Sequence, residues 1–369
     1  MKKIVLSFLL FLTFQLSFAH LQEYPTNPHQ AAFDAAYQQY PQVPKGMLEA
    51  VSFTMTRFRH IENETKGCAG LPLVYGVMGL TLDGEGYFKN NLNYVAQLSG
   101  ISVQQIQNNP QQNILAFAAA YNSLLQQLSG NKSNIENHIS VLATLSELPY
   151  NGLQQDFALN AHLYSVYSFL NDKAAQVQYG FPQHTFSMEK IFGKENLRIL
   201  SAKYVKVTDE TVTDANGNAY QNSNIGNKSP DYPPALTNLT SCNYSSRNGV
   251  AVSAVTIHTI QGSYAGAISW ANNCSSNVSY HYVLRSSDGQ ITQVVLEANK
   301  AWHVGSENPY TIGFEHEGWV NDSTWYTAAM YQSSAALAKD ITQSGYGISA
   351  LRTAYFPWSR FTRYNVAGI

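Results

Sequence analysis

Cysteine is scarce in this chain: Cys68, Cys242 and Cys274 are the three among 369 residues. Their spacing is too wide for a cysteine-built zinc motif. In an oxidising compartment Cys242 and Cys274 can pair and tie the start of the last domain to a helix, which leaves Cys68 over; the pairing itself stays open at this level. Charge is scarce as well. Asp, Glu, Lys and Arg make up 12% of the residues, the formal net charge is −2, and no Lys/Arg block occurs. That excludes the concentrated basic surface a nucleic-acid partner requires. Apolar runs long enough to span a membrane are missing after the N-terminus. What is abundant is uncharged polarity from Asn, Gln, Ser, Thr and Tyr, a composition suited to uncharged or sugar-rich ligands.

The N-terminus has the pattern of a secretory signal. Lys2-Lys3 precede an apolar run from Ile4 to Phe18, which closes on Ser17-Phe18-Ala19 before His20. Residues 1–19 are therefore expected to be removed near Ala19, and the mature protein to be secreted or periplasmic. No cysteine follows the cleavage point to take a lipid. The remaining length suits two domains.

Residues 20–170 read as helical. A helix is expected from Met47 to Phe58 behind Pro44, and another over Leu92, Val95, Ala96 and Leu98, closed by Ser99-Gly100. Asn109-Pro110 opens the clearest one, whose Ile114, Phe117, Ala118, Tyr121, Leu124 and Leu125 recur at helical spacing, a buried stripe. A last helix is expected from Glu147 to Leu170. Ala50 to Thr56, the Gly76-Val77-Met78-Gly79-Leu80 turn and Asn109-Pro110-Gln111-Gln112-Asn113-Ile114 together resemble the lysozyme-like domain of lytic transglycosylases. The resemblance implies a catalytic Glu on the first of these helices, which donates a proton to the glycosidic oxygen. The matching position here is Met55, and a thioether cannot donate a proton. Glu49, Glu62 and Glu64 are nearby but out of register, so wall-glycan binding is the role this region is expected to keep.

Gly, Asn, Asp, Ser and Pro accumulate over 171–240, which reads as a linker with some strand character and an Asn216-Gly217 turn. An α/β domain is expected over 241–369, with a central mixed sheet. The β-branched run from Val250 to Ile260 predicts a central strand buried on both faces. Ser263 is placed to cap a helix through Ala271. A hairpin follows from Ser279 to Val295 around Ser287-Asp288-Gly289, and Thr327 caps a long helix ending at Ser344-Gly345. Between them lies Thr311-Ile312-Gly313-Phe314-Glu315-His316-Glu317-Gly318, a short strand ending in two carboxylates around an imidazole, groups that are costly to bury and useful in catalysis.

Four segments of this domain, in order, are Ile257-His258-Thr259, Tyr280-His281-Tyr282-Val283 with its Asp-Gly turn, Trp302-His303-Val304-Gly305, and Ile312-Gly313-Phe314-Glu315-His316-Glu317-Gly318. Together they resemble the zinc-dependent N-acetylmuramoyl-L-alanine amidases, a family that includes the peptidoglycan-recognition proteins, over about residues 240 to 369. The resemblance implies an exported peptidoglycan hydrolase that cuts the amide between N-acetylmuramic acid and L-alanine with zinc-activated water. It implies His258 as a zinc ligand, Glu315 as general base, and Tyr280, His281, His303 and His316 near the substrate. The other two zinc ligands of the family follow the long helix; here no His follows His316, so they are expected beyond Ile369, in a longer chain. The alternative is a peptidoglycan-binding protein without catalysis on the same fold. Stem-peptide specificity and oligomeric state are not legible in the sequence.

Overall fold

The computed structural model describes residues 24–62, 69–84, 86–128, 132–149, 152–202, 205–207, 212–214, 217–220, 231–232, 234–237 and 239–348. The helices of the first half are α1 (Gln30–Gln39), α2 (Met47–Thr56), α3 (Asn91–Ser99), α4 (Val103–Asn108), α5 (Pro110–Gln127), α6 (Ile139–Leu145) and α7 (Leu153–Asn171). Two of them begin at a short polar side chain that accepts a free N–H group, Ser102 for α4 and Asn109 for α5. Asn109 caps α5, its side chain accepting the Gln112 N–H at 2.9 Å, and Pro110 fills the first turn, where no N–H is needed.

The Gly76–Leu80 turn lies between the two-residue strands β1 (Val74–Tyr75) and β2 (Leu80–Thr81). It is held against α5 by Asn113, which accepts the Met78 N–H at 2.8 Å and donates to the Ile106 carbonyl at 3.1 Å. A Cβ on Gly76 would sit 1.9 Å from the Asn113 amide, so the turn can approach α5 this closely only with glycine there.

Two expectations are corrected by the fold. The helix expected from Glu147 begins at Leu153, after Pro149, whose ring disfavours helical backbone in the residue before it. The stretch read as linker holds three further helices, α8 (Lys173–Tyr179), α9 (Met188–Phe192) and α10 (Lys194–Leu200), followed by a hairpin of β3 (Val205–Val207) and β4 (Val212–Asp214). Gly180 and Gly193, both at positive φ, end α8 and α9. That punctuation cuts the apolar pattern into windows too short to show a helical period. The Gly217 N–H bonds the Asp214 carbonyl at 3.0 Å, while Asn216 of the expected turn lies outside the described residues.

The second half is built on a five-stranded mixed sheet of β5 (Leu236–Thr237), β7 (Ala254–Thr259), β8 (Tyr282–Leu284), β9 (Ile291–Gln293) and β11 (Thr311–His316), in the order β5-β9-β8-β11-β7. The hairpin β8–β9 is antiparallel, while β11 runs parallel to both neighbours. Beside the sheet, β6 (Tyr244–Ser246) pairs with β10 (Asn299–Ala301). Helix α11 (Tyr264–Ala271), capped by Ser263, joins the core of the helical half, while α12 (Ala328–Gln343), capped by Thr327, packs its Met330, Leu337 and Ile341 against Ile312 and Phe314.

The run expected to be central is an edge. Among the described residues β7 pairs on one side only, and Ile257 is 40% exposed. Of the two parallel neighbours, β11 is the one buried along its whole length. A β-branched run reports that a residue fits a pleated, half-buried surface, and it is silent on how many neighbours the strand has.

The disulfide Cys242–Cys274 ties β6 to the end of α11, and Cys68 lies outside the described residues. No helix among the described residues is long and apolar enough to cross a membrane. The two halves share one core, in which Phe88 stacks on Trp270 at 5.6 Å and the indole N–H of Trp270 donates to the Ala69 carbonyl at 2.8 Å.

Candidate functional site

The parallel register of β7 and β11 sets Glu315 opposite His258 and Gly313 opposite Thr256. Facing positions on parallel neighbours put their side chains on the same side of the sheet, and successive residues alternate. Glu315 and His258 therefore share one face, while Ile312 and Phe314 take the face covered by α12. Glu315 is fully buried and His258 partly buried.

His303 joins this face from the loop after β10. Its Nδ1 stands 3.1 Å from His258 Nε2, and its Nε2 stands 3.2 Å from Thr311 Oγ1. The Thr311 hydroxyl donates its one proton to the Glu307 carbonyl at 2.9 Å. Its oxygen is left to accept from His303 Nε2–H, so His303 Nδ1 is the acceptor and His258 Nε2–H the donor. One carbonyl thus fixes the tautomers of two histidines. Room for the His303 ring comes from Gly313, where a Cβ would lie 2.4 Å from Nδ1. A glycine inside a strand pattern is the sequence signal of such a close approach, and neither it nor Thr311 was singled out from the sequence for this role.

The other expected site residues have different surroundings. His281 is buried, its Nδ1 accepting the Gly313 N–H at 3.0 Å while Nε2 faces the Asn299 carbonyl at 3.2 Å and Arg247 Nη2 at 2.8 Å. Both nitrogens are spent within the protein, which makes the ring a strut. Burial, and then Arg247, push it down to about 3. Arg247, unmarked in the sequence, also donates to the carbonyls of Glu297, Pro309 and Thr311, and so fixes the loop that carries His303 to the start of β11. Tyr280 is buried and donates its hydroxyl to the Ala267 carbonyl of α11. His316, by alternation on the opposite face from Glu315, places Nδ1 3.3 Å from the His258 carbonyl.

Burial pushes His258 down to about 4, with a further contribution from His316, and burial likewise takes His316 to about 4. Burial, followed by His258, lowers His303 in the same direction. All three rings are neutral at neutral pH, the form in which an imidazole accepts a proton or binds a metal. Glu317 serves the fold instead. It accepts the Tyr264 N–H at 2.9 Å and the Ser286 N–H at 2.8 Å, joining the first turn of α11 to the end of β8.

A catalytic zinc takes about three protein ligands. Among the described residues no group of three His, Cys, Asp or Glu side chains stands close enough to hold a metal. His258 suits one ligand position, and the described residues do not complete the set.

In the helical half, the place where the resemblance puts a catalytic acid is closed. Met55 is buried, and a Cβ on Gly79 would stand 2.7 Å from its own. Two cavities beside Met55, of about 10 and about 20 Å3, are each lined by Glu147, and the larger is shut by Gly262, Ser263, Gly266 and Trp319 of the second half. A void of that size holds about one water. Glu49 is buried and accepts a hydrogen bond from the Tyr37 hydroxyl, while Glu62 is exposed beside His60. Glu64 lies outside the described residues.

Residues 248–361 match the family model described as N-acetylmuramoyl-L-alanine amidase. Over 112 residues the chain is 50% identical to N-acetylmuramoyl-L-alanine amidase A of Achromobacter lyticus, a match that covers 30% of this chain and 63% of that protein's length. No solved structure matches.

Proposed function

We propose, from the similarity of residues 248–361 to the amidase family, that the protein is an exported peptidoglycan hydrolase acting on the amide between N-acetylmuramic acid and L-alanine. The observation that carries the proposal is the register placing Glu315 beside His258, with His303 Nδ1 3.1 Å from His258 Nε2. Amide hydrolysis needs a base that takes a proton from the attacking water and returns it to the departing amine as the C–N bond breaks. Glu315 is assigned that double role. Buried on an interior strand, it meets little bulk water.

Zinc is part of the proposal, with His258 as one ligand; residues 349–369 hold no His, Cys, Asp or Glu to add to it. When bound, it would polarise the scissile carbonyl and bring a water towards a pKa of about 7. Export near Ala19 is proposed with it, and the Cys242–Cys274 disulfide fits an oxidising compartment. For the helical half we keep the lysozyme-like reading in a form without cleavage, a wall-binding and supporting role, because Met55 replaces the acid.

The test is release of stem peptides from purified sacculi by the full chain, compared with Glu315→Gln. The variant should fold normally and lose about 10²–10⁴-fold in rate. A wild-type rate in the variant removes Glu315 as base. Binding to sacculi with no peptide release, from a chain that carries every ligand, leaves the second reading, a non-catalytic peptidoglycan-binding protein, which Met55 also favours.

A further inference from the structure

Between the helical half and the sheet domain lies a cavity of about 180 Å3 that the amidase reading leaves unused. Its central side chain is Arg57, 8% exposed at the C-terminal end of α2. The guanidinium carbon stands 3.9 Å from the ring centre of Phe53 and 4.2 Å from that of Trp325. Among the described residues its one hydrogen-bond partner is the Phe53 carbonyl, 2.7 Å from Nη1. A guanidinium carries five N–H donors in a planar fork, so most of this fork is left for the cavity. Arg57 also adopts a left-handed backbone, φ 53°, and Phe58 follows at φ 66°, a conformation that residues with a side chain avoid.

The walls carry both signs of charge. Arg285 is locked to Asp288, and Glu317 spends its oxygens on two backbone N–H groups. Asp172, partly buried, caps α8 with one oxygen, accepting the Ala175 N–H at 2.9 Å, and also accepts a hydrogen bond from the Tyr24 hydroxyl on the cavity wall. A simple anion would meet Arg57 together with three carboxylates, and a simple cation would meet two guanidinium groups. A molecule with both signs a few atoms apart satisfies both walls. In size the cavity is many times the one-water voids beside Met55 and below the usual range for drug-sized ligands. That leaves room for a small organic molecule.

We infer that this cavity binds a small zwitterion of the amino-acid class, its carboxylate on the Arg57 fork, its ammonium on Asp172 and its side chain against Phe53 and Phe169. The way in is past the exposed Ser287 and the partly buried Ser165 and Ser168. Bound there, the ligand touches α2 and α7 of one half and the β8–β9 turn of the other, so occupancy clamps the two halves together. The site is separate from the face of Glu315, and its test reads binding rather than amide cleavage, so it stands or fails independently of the proposed activity.

The experiment is calorimetric titration and thermal unfolding of the full chain with glycine, L-alanine and D-alanine, using propionate and ethylamine as single-charge probes. The amino acids should bind and raise Tm with concentration, and each single-charge probe should bind at least about tenfold more weakly. Arg57→Met and Asp172→Asn should each weaken binding by about tenfold or more. Asparagine still caps α8, so Asp172→Asn keeps its fold. Ser168→Phe, which fills the cavity, gives a third reading if Arg57→Met does not fold. Absence of binding to the wild-type chain overturns the inference, as do equal binding of propionate or ethylamine and undiminished binding in both Asp172→Asn and Ser168→Phe.

Discussion

At the scale of single residues, the site depends on one missing side chain. A methyl group at Gly313 would overlap the His303 ring, whose Nδ1 is 2.4 Å from where that carbon would lie. The ring would have to leave, and with it the contact that fixes His258. Gly313→Ala should therefore keep its circular dichroism yet lose about 10–100-fold in peptide release, the range for groups that orient a ligand from behind. Unchanged activity would remove His303 from the machinery. Glu147 gives a second prediction at this scale. Burial raises its carboxyl above the unfolded value, so the folded protein favours the protonated form and loses stability as pH rises through the folded value. Glu147→Gln should raise Tm near neutral pH, and the gain should vanish below about pH 4, where the unfolded carboxyl is protonated as well. A gain that persists in acid would contradict the cause. Residue types and order were legible here: His258 and Glu315 could be named from the sequence. What His281 and Tyr280 do was not legible, because a histidine inside a strand looks the same whether its nitrogens face substrate or, as here, Gly313, Asn299 and Arg247.

At the scale of elements, the clearest joint is the disulfide. It closes a loop of 32 residues between β6 and the end of α11, and a loop of that length is worth about 3–4 kcal/mol against the unfolded chain. Cys242→Ser should lower stability in urea by that amount, and added reductant should bring the wild type to the same midpoint. If reductant leaves the midpoint unmoved, the bond does not hold the fold. Caps made three helices readable: Asn109, Ser263 and Thr327 each accept an N–H of the first turn, where the sequence placed them. The three helices α8 to α10 escaped because each is seven residues or shorter, too brief to repeat an apolar period. The rank of β7 and β11 was inverted for a related reason. Burial of a strand depends on what lies beside it, and β11, with Glu315 and His316 in it, is central because β8 and β7 flank it.

At the scale of the whole molecule, the halves are joined through a common core rather than by a free tether. Trp270, 2% exposed, stacks on Phe88 and donates to Ala69, and the Tyr87 hydroxyl donates to the Ser269 carbonyl at 2.6 Å. Unfolding should follow as one transition, with helical signal at far-ultraviolet wavelengths and tryptophan fluorescence sharing a midpoint. Trp270→Ala should lower the stability read at that shared midpoint by about 3–5 kcal/mol. Two separated transitions in the wild type would show that the halves are independent. The same contact surface bears on the helical half: Trp319 and the start of α11 line the small cavity beside Met55.

By itself the sequence determined a helical first half and a mixed sheet in the second, the starts of α5, α11 and α12, and the hairpin, and it named the two residues on which the proposed chemistry turns, because caps, turns and short motifs act over a few neighbours along the chain. Only the tertiary structure decided which strand is central, that Glu315 and His258 share a face with His303, that His281 is a strut, and that a charged cavity lies between the halves. Those facts depend on register and packing between segments about 20 to 230 residues apart, whose meeting no local pattern records.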